Sequence, residues 1–223
     1  MELRAEGVSR QYFRKSKSSN VFWAVHETDL ALHTGELTEI TGRSGSGKST
    51  LLHMLAGLLT PTAGRVLLDG KDIYALSDEM RSRLRNEELG VIPQGQTALR
   101  SLTVLENVKL PCAMYGETVS DDAAVELLER VGIAGLKDTY PNELSGGELR
   151  RLAIARSLVR RPGVLLADEP TSNLDDENTK AVLHLLRQCA DEGAAVLLVT
   201  HEREAAEYAD RVFRMDNGIL SAE

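Results

Sequence analysis

The stretch "GRSGSGKST", Gly42 to Thr50, constrains this chain more than any other. It follows the run Leu37–Thr41 and leads into Leu51, Leu52 and Leu55, which are spaced for one face of a helix. A strand, a glycine-rich loop and a helix in that order make a P-loop. Such glycines let the chain curl and let backbone N–H groups approach phosphates with no Cβ in the way. Lys48 reaches the outer phosphates as a point charge, and Ser49 offers its hydroxyl to Mg²⁺. The expected nucleotide cradle is therefore Gly42, Ser44, Gly45, Ser46, Gly47, Lys48, Ser49 and Thr50. Glu39 sits awkwardly beside it, because it puts a charge into a strand expected to be mostly buried. Thr38 and Glu39 are expected at a rim, or the strand is expected to be shorter.

Two continuous apolar runs, Val164–Ala167 and Ala194–Val199, suit strands buried on both faces of a parallel sheet. Each ends in a polar cluster, "DEP" and "TH", and ligand sites in open α/β sheets lie beyond the carboxyl ends of strands. Asp168 is expected to bind Mg²⁺ directly or through water. Glu169 is expected to polarise an attacking water.

The N-terminal part reads as short strands. Turn signals at Asp69-Gly70 and at Asp216–Gly218 each separate two apolar segments and predict hairpins. Helical patterns dominate from about Leu102 to Val159. In "SDDAAVELLERVG" Ser120 is the expected N-cap, Ala124, Leu127, Leu128 and Val131 share a face, and Gly132 ends the helix. The fold class is thus α/β, one domain over 1–223. Its core spans about 1–92 and 163–223, and a helical lobe is inserted at about 93–162.

With 223 residues, 42% of them hydrophobic, the chain suits one large domain or two small lobes. The net charge of −8 argues against nucleic acid as the main partner. Arg10, Arg14, Lys15 and Lys17 form the N-terminal basic cluster and read as a solvated loop. Cys112 and Cys189 lack metal-ligand spacing, and Cys189 falls on the apolar stripe Val182, Leu185, Leu186. No run is long enough to cross a membrane, and "MELRAEGVSR" is not a signal peptide. A soluble, cytoplasmic chain that docks onto a separate membrane chain is the expectation. His26, His33, His53 and His184 read as structural, and periodicity alone gives His201 no more.

A second anion cradle stands at "PNELSGGELRRLAIAR". Ser145, Gly146 and Gly147 precede a charged amphipathic run. A helix that opens this way presents free N–H groups and the positive end of its dipole. Four elements now stand in order: "GRSGSGKST", "LSGGE", "LLADEP" with "SNLD", and "TH". Over essentially the whole chain this resembles the nucleotide-binding domain of ABC transporters.

The resemblance implies a P-loop NTPase (RecA-like) core with a mainly parallel sheet, an N-terminal antiparallel β part and the inserted helical lobe. It also implies why there are two cradles. Two such domains pair head to tail, and each ATP lies between the phosphate loop of one and the Ser-Gly-Gly helix of the other. Ser145, Gly146, Gly147 and Glu148 would then serve the nucleotide of a second copy. Tyr12 matches the aromatic that stacks on adenine, with Phe13 as the alternative. Gln94 resembles the glutamine that contacts Mg²⁺ or water and relays nucleotide state to a membrane permease on a separate chain. Asp175 matches the loop that crosses to the opposite protomer, and His201 resembles the histidine that contacts the γ-phosphate.

Within the superfamily the sequence looks most like the group serving lipoprotein release, macrolide or peptide export, and cell division. Pro93 and Gly95 depart from the aromatic or bulky flanks that relatives often carry, which leaves the docking surface open. The implied activity is Mg-ATP hydrolysis that drives a permease at the inner face of the cell membrane. A regulatory or scaffolding ATPase is the competing reading. An ATPase acting on DNA or ribosomes is disfavoured by the acidic charge.

Overall fold

The computed structural model describes residues 1–13, 21–95 and 97–223. Arg14, Lys15 and Lys17 of the basic cluster lie outside the described residues.

A six-stranded sheet, built from strands late and early in the chain, organises the molecule. Its order is β10 (Ile219–Ala222), β9 (Arg211–Asp216), β3 (Leu37–Thr41), β8 (Ala195–Val199), β7 (Val164–Asp168) and β6 (Leu89–Ile92). All neighbours run parallel except β9 and β10, which form a hairpin. Asn217 and Gly218 turn it at φ values of 49° and 81°, the left-handed pair a two-residue hairpin needs. Strands β7 and β8 are buried throughout, as continuous apolar runs require of central parallel strands.

One face of this sheet packs on α1 (Lys48–Leu55) and on an antiparallel sheet of order β2 (Val21–His33), β1 (Glu2–Phe13), β4 (Ala63–Leu68) and β5 (Lys71–Asp72). Ile40, Leu166 and Leu197 point into that core. The other face carries α3 (Val104–Ala113), α4 (Asp121–Arg130), α5 (Gly146–Leu158) and α6 (Asp176–Asp191) over Leu37, Leu165 and Leu198. Ser120 caps α4 by accepting from the Ala123 N–H. Beyond that helix the N–H groups of Gly132 and Ile133 bond back to Glu129 and Leu128, which closes it at the expected glycine. Cys189 is buried on α6, and burial pushes its thiol up to about 11.

Three expectations are corrected. The N-terminal strands are long, 12 and 13 residues, because shifts in register between Ala5 and Gln11 let each continue through irregular points where alternation breaks. Thr38 and Glu39 are not at a rim. Both are fully buried, because β3 is flanked by β8 and β9 and keeps its full length. Arg10 is not in a solvated loop. It lies in β1, donates to the Thr60 carbonyl and covers the Tyr12 ring at 4.8 Å.

Candidate functional site

The phosphate loop leaves the end of β3 and enters α1. Gly47 occupies the N-cap position of that helix with φ 111°, and no side chain caps it. A Cβ there would lie 2.2 Å from the Ala24 carbonyl, so only glycine lets the loop fold this tightly. The first N–H groups of α1 are therefore left without a side-chain acceptor, the arrangement that suits a phosphate.

Lys48 opens the helix and curls back over the loop. Its Nζ donates to the carbonyls of Gly42 at 2.7 Å and Arg43 at 3.1 Å, and lies 3.8 Å from Oε1 of Glu169. Ser49 Oγ donates to Oδ1 of Asp168 at 2.9 Å. Asp168 is the last residue of β7, and Glu169 follows it with φ 48°. That left-handed backbone is uncommon for a non-glycine residue and clusters at functional sites. The Glu169 N–H is anchored on the Val199 carbonyl at 2.8 Å, which ties the ends of β7 and β8 together. His201, just beyond β8, then sets its Nδ1 2.7 Å from Glu169 Oε2.

A cavity of about 220 Å³ opens over this group. It is lined by Tyr12, Phe22, Ala24, Ser44, Gly45, Gly47, Lys48, Ser49, Thr50, Gln94 and Glu169. Tyr12 therefore faces the loop, whereas Phe13 is 81% exposed and outside the lining. Gly42 and Ser46 shape the loop from behind, and the Ser46 hydroxyl is buried with no partner. The Ser49 hydroxyl and the Gln94 amide line the cavity, and the Asp168 carboxylate accepts from Ser49; all three are hard oxygen donors of the kind that Mg²⁺ takes alongside substrate phosphates.

Ser145, Gly146, Gly147, Glu148 and Asp175 form a different cluster, and none of them lines this cavity. Ser145 is the N-cap of α5. Its N–H and Oγ both donate to Oε2 of Glu148, at 2.7 and 2.8 Å, and the Glu148 N–H donates back to Oγ at 3.3 Å. This is a capping box. The bond from the Ser145 N–H, then that from its hydroxyl, hold the Glu148 carboxyl below the usual carboxylate range. Gly147 packs on Asn178, where a Cβ would lie 2.9 Å from Oδ1. Asn178 in turn donates its N–H and side-chain amide to Asp175, the N-cap of α6. Those bonds, the backbone one first, hold the Asp175 carboxyl low as well.

Two residues escaped the sequence reading. Phe22 joins the cavity wall. Arg150, buried on α5, donates to the Pro93 carbonyl at 2.9 Å and so ties the Ser-Gly-Gly helix to the segment carrying Gln94. Burial pushes its guanidinium pKa down, opposed by the nearby Asp168 charge. An arginine four residues before Ile154, on the buried side of the helix, was the available signal.

Comparison with known proteins agrees with this geometry. The family model described as ABC transporter matches residues 25–172. The lipoprotein-releasing system ATP-binding protein LolD of Xanthomonas oryzae pv. oryzae (strain MAFF 311018) is 43% identical over 221 residues, 98% of this chain and 89% of that protein. The protein of the same name from Shewanella sp. (strain MR-7) is 43% identical over 99% of this chain and 95% of its own length. Among solved structures, a dimeric ATP-binding cassette in a post-hydrolysis state with ADP and Pi superposes with a TM-score of 0.90. It has 31% identity, with 99% of this chain and 98% of that one covered. A nucleotide-free cassette from an ABC transporter gives a TM-score of 0.83 at 26% identity, over 100% of this chain and 90% of that one.

Proposed function

The chain belongs to the ABC transporter family, and from that premise we propose that it is the ATP-hydrolysing subunit of a lipoprotein-releasing transporter, working as a pair of copies beneath a separate membrane permease. One observation carries the paired reading. The chain holds two helix-opening turns suited to an anion, Gly42–Thr50 and Ser145–Glu148, that do not line a common cavity. A second copy placed head to tail brings its Ser145 turn to the triphosphate held by Lys48. Solved cassettes at about 30% identity that are dimeric support a paired form.

The steps follow from the side chains. Glu169 starts with both oxygens engaged, one by His201 and one by Lys48. A triphosphate in the cavity draws Lys48 toward its outer oxygens, which frees Oε1 to accept a proton from water in line with the γ-phosphorus. His201 keeps the carboxylate oriented and offers its other ring nitrogen toward the γ-phosphate. Ser49, Asp168 and Gln94 would hold Mg²⁺, which would supply positive charge to offset that of the phosphates. The partner's Ser145 hydroxyl and Gly147 N–H close the site and exclude water other than the attacking one. Positioning and charge stabilisation carry the catalysis, as in phosphoryl transfer generally.

No helix among the described residues is long and apolar enough to cross a membrane. We place the permease contact on the helical lobe, about 93–162, which Arg150 and Arg156 clamp to the Gln94 segment through the carbonyls of Pro93 and Thr97. Affinity purification from membranes tests the assignment. Recovery of a multi-span protein together with lipoprotein-release activity supports it, and recovery of soluble partners alone contradicts it.

A further inference from the structure

We propose that Glu39 and Glu202 form an acidic receptacle behind the phosphate loop for the guanidinium of Arg43, and that a triphosphate on Lys48 releases Arg43 into it. Arg43 is then a positioning residue for the loaded loop. The inference rests on the reading of the Lys48 cavity as a nucleoside triphosphate site and deepens it.

Unpaired acid supplies the first argument. A cavity of about 540 Å³ is lined by Glu39, Thr41, Arg43, His201, Glu202 and Arg214, and it shares no lining residue with the 220 Å³ cavity. Glu39 is fully buried and neither of its carboxyl oxygens has a hydrogen-bond partner. Oε2 of Glu202 is buried and unpartnered as well. Buried polar atoms are rarely left so, and three such oxygens in one wall call for a cation that brings N–H donors. No three His, Cys, Asp or Glu among the described residues are placed to hold a metal ion, which favours a guanidinium.

Elimination supplies the second. Among the described residues of this wall, three carry a basic group. Arg214 already faces Glu223 at 3.6 Å, and His201 sets its Nδ1 2.7 Å from Glu169. Arg43 is exposed, and its guanidinium has no partner among the described residues. The charged groups that face Glu39 are these three, Glu202 and Glu223.

The loop supplies the trigger. Gly42 packs so closely on β9 that a Cβ would lie 2.2 Å from the Met215 carbonyl, which fixes the base of the loop. Arg43 comes next, and its carbonyl accepts from Lys48 Nζ and from the Ser46 N–H, each at 3.1 Å. A triphosphate that draws Lys48 away removes the first of these bonds and frees Arg43 to turn toward the cavity. Burial first, then the charge of Glu223, raises the Glu39 carboxyl pKa to about 7. A guanidinium beside it favours the carboxylate, so the Glu39 proton passes to solvent as Arg43 enters.

Calorimetric titration of MgATP into the full chain at pH 7, in buffers of different ionisation enthalpy, counts that proton. The parent should release about half a proton more per chain than Glu39→Gln, because a carboxyl of pKa about 7 is half protonated there. Arg43→Met should lose the same amount and Arg43→Lys should keep it, and all four should agree near pH 9, where Glu39 is ionised throughout. Arg43→Met should also weaken MgATP binding roughly tenfold in the parent and little in a Glu39→Gln background. A parent proton count equal to that of Glu39→Gln or Arg43→Met overturns the proposal. An equal loss of affinity from Arg43→Met in both backgrounds also overturns it, because it places the arginine on the nucleotide itself. If the parent binds no MgATP, the nucleotide reading fails and takes this one with it.

Discussion

Oε2 of Glu169 lies 2.7 Å from Nδ1 of His201 while its other oxygen faces the Lys48 ammonium at 3.8 Å. The carboxylate proposed to activate water is thus oriented from two sides. Its strained backbone, φ 48°, is held by the Glu169 N–H bond to Val199 and by a side chain almost wholly buried between the Lys48 ammonium and the His201 ring.

Replacing Glu169 by glutamine keeps the shape and removes the base. Glu169→Gln is expected to bind ATP normally and to hydrolyse it about 10²- to 10⁴-fold more slowly, the usual contribution of a positioned general base. Dimers then accumulate with ATP and Mg²⁺, visible by size-exclusion chromatography. An unchanged monomer peak counts against the mechanism.

Glu148 caps α5 with a negative charge at the turn that a partner's triphosphate must approach. Glu148→Gln keeps an oxygen acceptor for the Ser145 N–H and hydroxyl but removes that charge. ATP-dependent dimerisation should tighten several-fold, with the melting temperature little changed, because like charges oppose association. Analytical ultracentrifugation in ATP decides it, and a weaker dimer would show that the Glu148 charge assists the contact.

Burial of Glu39, reinforced by the charge of Glu223, raises its carboxyl pKa from 4.5 to about 7, and neither oxygen has a hydrogen-bond partner. The folded chain therefore binds this proton more tightly than the unfolded chain does. The neutral carboxyl is fully present in both states below pH 4.5. Stability then falls as pH rises through the window from 4.5 to about 7, by about 3 kcal/mol at most. Glu39→Gln should match the parent at pH 4.5 and exceed it at pH 8 in urea denaturation. A variant less stable than the parent at pH 8 would mean that the carboxylate has a stabilising partner.

The elements nearest the chemistry were legible because their signals are local. Glycine spacing marks the loop after β3, uninterrupted apolar runs mark β7 and β8, and Asp69-Gly70 and Asn217-Gly218 mark two hairpins. Helix α2 (Asp78–Glu88) escaped because it buries no residue and so carries no apolar stripe. Only its Ser77 cap hints at it. The burial of Glu39 escaped because the strand that covers one side of β3, β9, comes from more than 170 residues away in the chain. Phe22 was invisible for a similar reason. Its pairing with Tyr12 depends on bulges that reset the register between β1 and β2. Motifs point to the phosphate loop, whereas cross-strand register decides which residues line the rest of the cavity.

The central claim is that each copy completes the other's ATP site. It is tested most directly by the structure of the Glu169→Gln protein with ATP and Mg²⁺. The account predicts Ser145 Oγ and the Gly147 N–H of one protomer within hydrogen-bond reach, about 3 Å, of the γ-phosphate held by its partner's Lys48. A nucleotide-bound pair in which that turn faces solvent, with the triphosphate enclosed by a single chain, would contradict it.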